Sequence, residues 1–242
     1  MKKIFSHPKS LRKISTHYCP GCGHGIVHRL VAEVVDELGI RTRTVAIAPV
    51  GCAVLAYEYW DFDVSEAAHG RALAVATGIK RIRPENIVFT YQGDGDLAAI
   101  GTCETIHTAN RGENLTTIFI NNAVYGMTGG QMAPTTLLGQ KTATTPWGRD
   151  ARIAGYPLRI SELLAQLPGV KYIERVSVYS PQEVNRAKRA IKQAFLNQIN
   201  NSGFSLVEVL SPCPTCWGMS PKQAMDWIRN VMSKEFPLGR IK

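Results

Sequence analysis

The chain lacks any uninterrupted apolar run of membrane-spanning length, so no transmembrane helix is expected. Its start, Met1-Lys2-Lys3-Ile4-Phe5-Ser6-His7-Pro8-Lys9, is basic but has no apolar stretch of the secretory kind, so no signal peptide is expected either. The expectation is a soluble, cytoplasmic protein that does not engage a membrane. No Pro/Gly/Ser linker, charge block, low-complexity tract or internal repeat divides the 242 residues, which points to one domain spanning 1–242. That length can bury a sizeable core. A net charge of +9 invites a nucleic-acid partner, but no RNA- or DNA-binding motif accompanies it. The Lys and Arg residues are scattered, densest at Arg186, Lys188, Arg189 and Lys192, where a solvated helix face is expected. Nucleic acid is set aside in favour of a basic surface that meets an acidic protein.

Cysteine is present where a cytoplasmic chain has little structural use for it. Six are found, four of them in two C-x-x-C pairs, Cys19/Cys22 and Cys213/Cys216. In that compartment the pattern favours metal or redox chemistry over disulfides. Cys19, Cys22, Cys52 and Cys213 each fall in a loop beside a strand or helix, and a parallel sheet could gather such loops on one edge. Residue chemistry alone leaves a structural zinc and an iron–sulfur cluster both open. Cys103, inside a helical stretch, reads as an inert buried thiol.

Residues 1–16 read as an irregular arm, and the Gly- and Pro-rich run His17–Gly25 as a loop. A helix follows, with Ile26, Val27, Leu30, Val31, Val34, Val35 and Leu38 at helical spacing and Gly39 as its stop. Thr44–Ala48 reads as a buried strand ending at Val50-Gly51-Cys52. A polar-aromatic passage separates it from a second helix, which begins at His69-Gly70-Arg71. The segment from Gly126 to Tyr156 has little periodicity, and its length marks it as functional, a cover over a ligand or a subunit contact. After it come strand Lys171–Val178, a helix opened by the capping box Ser180-Pro181-Gln182-Glu183, strand Phe204–Leu210, and a tail helix opened by Ser220-Pro221-Lys222-Gln223. Helices alternating with short apolar strands predict an α/β fold, a doubly wound, mostly parallel sheet flanked by helices.

The chemistry concentrates between Tyr91 and Gly130. Gly93-Asp94-Gly95-Asp96 follows the apolar run Ile87–Thr90, and Asn121-Asn122 follows Thr117–Ile120. If both runs are parallel strands, both clusters emerge at the carboxyl edge, where open α/β sheets bind ligands. The glycines let the backbone approach a phosphate, and Asp94 with an Asn oxygen suits Mg²⁺. His69-Gly70-Arg71 and Val50-Gly51-Cys52 sit where backbone N–H groups could face a diphosphate.

With H-Y-C-P-G-C-G-H-G (17–25), A-P-V-G-C (48–52), A-A-H-G-R-A (67–72), G-D-G-D-L-A-A-I-G (93–101), N-N-A-V-Y-G-M-T-G-G-Q (121–131), A-P-T-T (133–136) and S-P-C-P-T (211–215), the chain from about His17 onward resembles one family. That family is the thiamine diphosphate (ThDP)-binding β subunit of 2-oxoacid:ferredoxin oxidoreductases. The resemblance implies a ThDP-binding fold with Asp94, Asn122 and the Val124 carbonyl on Mg²⁺. It implies ThDP contacts from Val50, Gly51, Cys52 and Ala53, from His69, Gly70, Arg71 and Ala72, from Gly95 and Asp96, and from Gly126 and Met127. It implies a [4Fe–4S] cluster on Cys19, Cys22, Cys52 and Cys213, with Cys216 a spare thiol. The implied reaction is oxidative decarboxylation of a 2-oxoacid, with coenzyme A taking the acyl group and ferredoxin the electrons.

The activating Glu is expected from a partner subunit, Glu66 and Glu104 reading as surface or structural. The expected partners are therefore an α subunit, with further γ/δ subunits an open possibility. Ala48-Pro49-Val50-Gly51-Cys52, followed by Ala53-Val54-Leu55-Ala56-Tyr57, is similar to the branched-chain, 2-oxoisovalerate (3-methyl-2-oxobutanoate) type. A distal carboxylate would want a Lys or Arg, which this stretch lacks. The alternatives are 2-oxoglutarate as substrate, a non-oxidative ThDP lyase or transferase, and a non-enzymatic scaffold.

Overall fold

The computed structural model describes residues 6–242. Seven strands form the main sheet in the order β2-β1-β3-β4-β8-β7-β9. They are β1 (Thr44–Pro49), β2 (Asp63–Ala67), β3 (Ile87–Gly93), β4 (Thr116–Asn121), β7 (Val170–Ser177), β8 (Phe204–Leu210) and β9 (Gly239–Arg240). All pairings are parallel except the short β7–β9 pair. A two-stranded antiparallel hairpin, β5 (Val124–Tyr125) with β6 (Gln131–Met132), lies apart from it.

Alternation along the central strands explains the layering. Ile87, Phe89 and Tyr91 of β3, Ile118 and Ile120 of β4, and Val207 and Val209 of β8 face one core with α1 (His24–Leu38) and the helix Pro181–Ile199. Val88, Phe119, Phe204 and Leu206 face the other, with residues of the helices Ala72–Ile82 and Ile160–Ala165. Both faces are covered, so the strands read as continuous apolar runs. No helix among the described residues is long and apolar enough to cross a membrane.

Several local expectations are corrected. The polar-aromatic passage contains β2, an edge strand whose partly exposed residues pair with β1 from Val45 to Pro49. Ser180 accepts from Glu183 N, but the reciprocal half of its box is missing, whereas Ser220 and Gln223 form both halves. The basic face of the late helix is not a free solvated row: Lys188 binds Glu33 and Glu37, Lys192 binds Glu37, and Arg186 binds Glu174. Cys103 is exposed, because it lies on the outer face of the helix Thr102–Asn110.

Strand order reverses between β1 and β3, since β1 leads to β2 on one side while β3 and β4 build on the other. The crevice at that switch point is bounded by residues 50–53 after β1 and 94–96 after β3. Adjacent strands add 122–124 after β4 and 211–216 after β8. One edge thus receives all four loops.

Candidate functional site

A cavity of about 280 Å³ opens at this switch point. Val50, Gly51, Cys52, Ala53, His69, Gly95, Asp96, Gly126 and Met127 line it, together with Asp94, Asn122 and Val124. Gly70, Arg71 and Ala72 do not. Arg71 instead pairs with Glu104 at 2.6 Å, and Ala72 is buried at the start of its helix. Gly70 serves from behind: its N–H donates to Asp96 Oδ1 at 2.5 Å. Its φ of +77° and the Gly101 N only 2.8 Å from where a Cβ would stand leave room for no other residue.

Asp96 is a brace as well as a wall. Its other oxygen accepts from Gln92 Nε2 at 2.6 Å, and His69 Nδ1 lies 3.0 Å from Oδ1. Burial raises its carboxyl above the usual range, against those hydrogen bonds.

Asp94 is 2 % exposed, and burial pushes it up to about 7 although the Thr135 hydroxyl and the Asn122 N–H both donate to it. Thr135 and Thr136 come from the long Gly126–Tyr156 segment, and sequence reasoning gave them no role. The only signal was the A-P-T-T motif.

Opposite Asp94, the Asn122 carboxamide can be placed either way round. With nitrogen inward it donates to Asp94 Oδ2 at 2.6 Å and to the Val124 carbonyl at 2.7 Å. With oxygen inward, the same position completes a triad of hard oxygens, the donor set that Mg²⁺ takes. The turn holding this triad is clamped on all sides. Ala123 has φ of 58°, its N–H donates to Asn121 Oδ1 at 3.2 Å, and its carbonyl accepts from Thr136 Oγ1 at 2.6 Å. Trp217 Nε1 donates to the Asn122 carbonyl at 3.0 Å. Trp217 went unnoticed because nothing local to residue 217 announces a contact with residue 122.

Cys52 lines the cavity, and other cysteines gather about it. Cys52 Sγ and Cys213 Sγ lie 3.3 and 3.6 Å from the point where a Gly126 Cβ would stand. Burial pushes the Cys22 thiol up to about 11 and the Cys52 thiol up to about 12, and neighbouring thiols push the same way. Cys22 feels Cys19 and Cys216; Cys52 feels Cys22, Cys216 and Cys19. Cys213, raised by burial, feels Cys216 and Cys22. Cys216, expected as a spare thiol, belongs to this cluster spatially, with Sγ 3.5 Å from the Gly126 carbonyl.

Among the described residues, no three His, Cys, Asp or Glu side chains converge on a single metal-holding point. The thiols nonetheless lie near enough to raise one another, a soft donor set of the kind an iron–sulfur cluster takes. His24 also lines the cavity. Burial lowers it to about 3, so it is neutral, and its Nδ1 lies 2.8 Å from Tyr91 Oη.

The thiamine pyrophosphate enzyme family, C-terminal TPP binding domain, matches residues 50–209. Fold and site therefore define a thiamine-pyrophosphate-binding chain. The ketoisovalerate oxidoreductase subunit VorA of Methanothermobacter thermautotrophicus is 53% identical over 251 residues, covering 100% of this chain and 53% of that protein. The 2-oxoglutarate synthase subunit KorB of Archaeoglobus fulgidus is 38% identical over 229 residues, covering 95% of this chain and 81% of that protein. A solved 2-oxoglutarate:ferredoxin oxidoreductase from Magnetococcus marinus superposes with a TM-score of 0.79 at 28% identity, over 95% of this chain and 74% of that one. The chain belongs to the thiamine-pyrophosphate-binding subunits of the 2-oxoacid oxidoreductases. It spans about half the length of its ketoisovalerate relatives.

Proposed function

We propose that the chain is the ThDP-binding β subunit of a cytoplasmic 2-oxoacid:ferredoxin oxidoreductase that converts a branched-chain 2-oxoacid and coenzyme A to acyl-CoA and CO₂. The observation that carries this is the convergence of Asp94, the Asn122 carboxamide and the Val124 carbonyl at the cavity, with the Cys52 and Cys213 thiols close by at Gly126. Asp94, Asn122 Oδ1 and the Val124 carbonyl would hold Mg²⁺ against a diphosphate. Val50–Ala53, Gly95-Asp96 and Gly126-Met127 would contact ThDP directly, with His69 at the wall. Gly70, Arg71 and Ala72 would act by shaping the adjoining turn. Cys19, Cys22, Cys52 and Cys213 would hold a [4Fe–4S] cluster, whose iron keeps bound thiols deprotonated despite their burial. When bound, ThDP supplies an electron sink for loss of CO₂. This chain's residues would fix its diphosphate end.

Among the described residues, no carboxylate lining the cavity is left for the aminopyrimidine ring. Asp94 and Asp96 are both engaged, Glu66 is exposed on β2, and Glu104 is paired with Arg71. A partner α subunit would supply it, with ferredoxin as electron acceptor. Branched-chain specificity is supported by a lining that includes no Lys or Arg among the described residues. It is supported too by the likeness to ketoisovalerate subunits. A distal carboxylate would stay unpaired there. Initial rates on the co-expressed complex test the reading: 2-oxoisovalerate should exceed 2-oxoglutarate by about tenfold or more, and this chain alone should turn over neither. A preference for 2-oxoglutarate overturns the substrate; full activity of the lone chain overturns the shared site.

A further inference from the structure

Beneath the metal-facing turn lies a charged network that the proposed reaction does not use. Glu208, in the middle of β8, is 1 % exposed. Its Oε2 accepts from Ser161 Oγ at 2.5 Å and from Arg175 Nε at 2.8 Å. Arg175, also buried, sends its other edge to both oxygens of Glu162 at 2.9 and 2.6 Å. The second Glu208 oxygen accepts from Asn121 Nδ2 at 2.7 Å. The Asn121 carboxamide is therefore held at both ends, by Glu208 through its nitrogen and by the Ala123 N–H through its oxygen.

Burying a carboxylate and a guanidinium in a sheet yields little net stability over an apolar pair of the same volume. What the ions supply here is direction. A residue other than Gly adopts φ of 58° only when its surroundings over-determine it. We infer that Glu208 is a positioning residue for the cofactor metal. It orients Asn121, which holds the left-handed turn at Ala123, and so sets the Asn122 oxygen and the Val124 carbonyl on the side facing Asp94. This inference rests on the Mg²⁺–ThDP reading above.

The test is a reciprocal swap in the full complex stripped of Mg²⁺ and ThDP, with ThDP binding titrated against Mg²⁺. Asn121→Asp sets two carboxylates against each other and should raise the Mg²⁺ concentration for half-saturation about tenfold or more. Adding Glu208→Gln restores the hydrogen bond between positions 121 and 208 with the donor reversed, leaves the Ala123 N–H donating to residue 121, and should return the requirement to within about threefold of wild type. Asn121→Ala, which adds no charge, carries the same tenfold expectation and stands in where the aspartate variant does not assemble. A Mg²⁺ requirement unchanged in the single variants overturns the inference, even if the cofactor-free complex melts earlier, because that pattern is a purely structural role. Wild-type complex that shows no Mg²⁺-dependent ThDP binding overturns the cofactor reading itself.

Discussion

His28 is fully enclosed beside the site: its ring stacks on Trp60 at 4.2 Å, and its Nε2 lies 2.9 Å from Tyr18 Oη. Burial, then His24 and His17, depress it well below its ordinary value of 6.5. Above pH 6.5 both folded and unfolded chains carry it neutral, and its packing contributes in full. As pH falls below 6.5 the unfolded chain takes up a proton that the folded chain refuses. Stability should then drop by up to about 1.4 kcal/mol per pH unit until the folded value is reached. His28→Gln should flatten that slope between pH 6.5 and 5 in denaturant titrations. At the same scale the thiols divide: Cys213→Ser should abolish iron binding, whereas Cys216→Ser should retain it, as metal analysis of the two variants would show. Iron retained in Cys213→Ser and lost from Cys216→Ser would exchange their roles.

Among the elements, the long Gly126–Tyr156 segment differs most from a simple cover. Arg149, 6 % exposed, donates to the carbonyls of Pro134 at 2.8 Å, Thr136 at 2.6 Å, Ala154 at 2.9 Å, Gly155 at 2.9 Å and Tyr156 at 2.8 Å. One guanidinium thus ties residues 134–136 to residues 154–156, holding the backbone on both sides of Thr135, whose hydroxyl donates to Asp94. Arg149→Ala removes this donor from the carbonyls of Thr136, Ala154, Gly155 and Tyr156, while Pro134 keeps its bond from the Leu158 N–H, and should cost about 3 kcal/mol, with faster proteolysis between residues 126 and 156; Arg149→Lys should recover little, since an ammonium cannot reach both ends. A melting temperature within about 2 °C of wild type would contradict this.

The strands bearing Asp94 and Asn122 were legible because their apolar runs and Gly/Asx ends lie in adjoining sequence. β2 was not, because Asp63-Val64-Ser65-Glu66-Ala67 becomes a strand only through its pairing with β1. Nor was the bracing: Thr135 to Asp94, Trp217 to Asn122 and Glu208 to Asn121 are contacts between residues far apart in the chain, and no local pattern encodes them.

For the whole molecule, strand order explains why one edge holds everything. The switch point between β1 and β3 opens the crevice, and the neighbouring β4 and β8 deliver Asn122 and Cys213 to its sides. The N-terminal Cys19–Gly23 loop joins the edge by packing on the segment after β8, with Gly23 N donating to the Pro212 carbonyl at 3.2 Å. On the proposed reading this edge joins two functions, a metal–diphosphate anchor and an electron outlet. The most direct test is anaerobic purification of the complex, with metal analysis of this subunit and a visible spectrum before and after 2-oxoisovalerate and coenzyme A are added. About four irons are expected in this chain, with bleaching of its absorbance when substrate arrives. Zinc without iron, or iron whose spectrum ignores the substrate, would contradict the proposed reading.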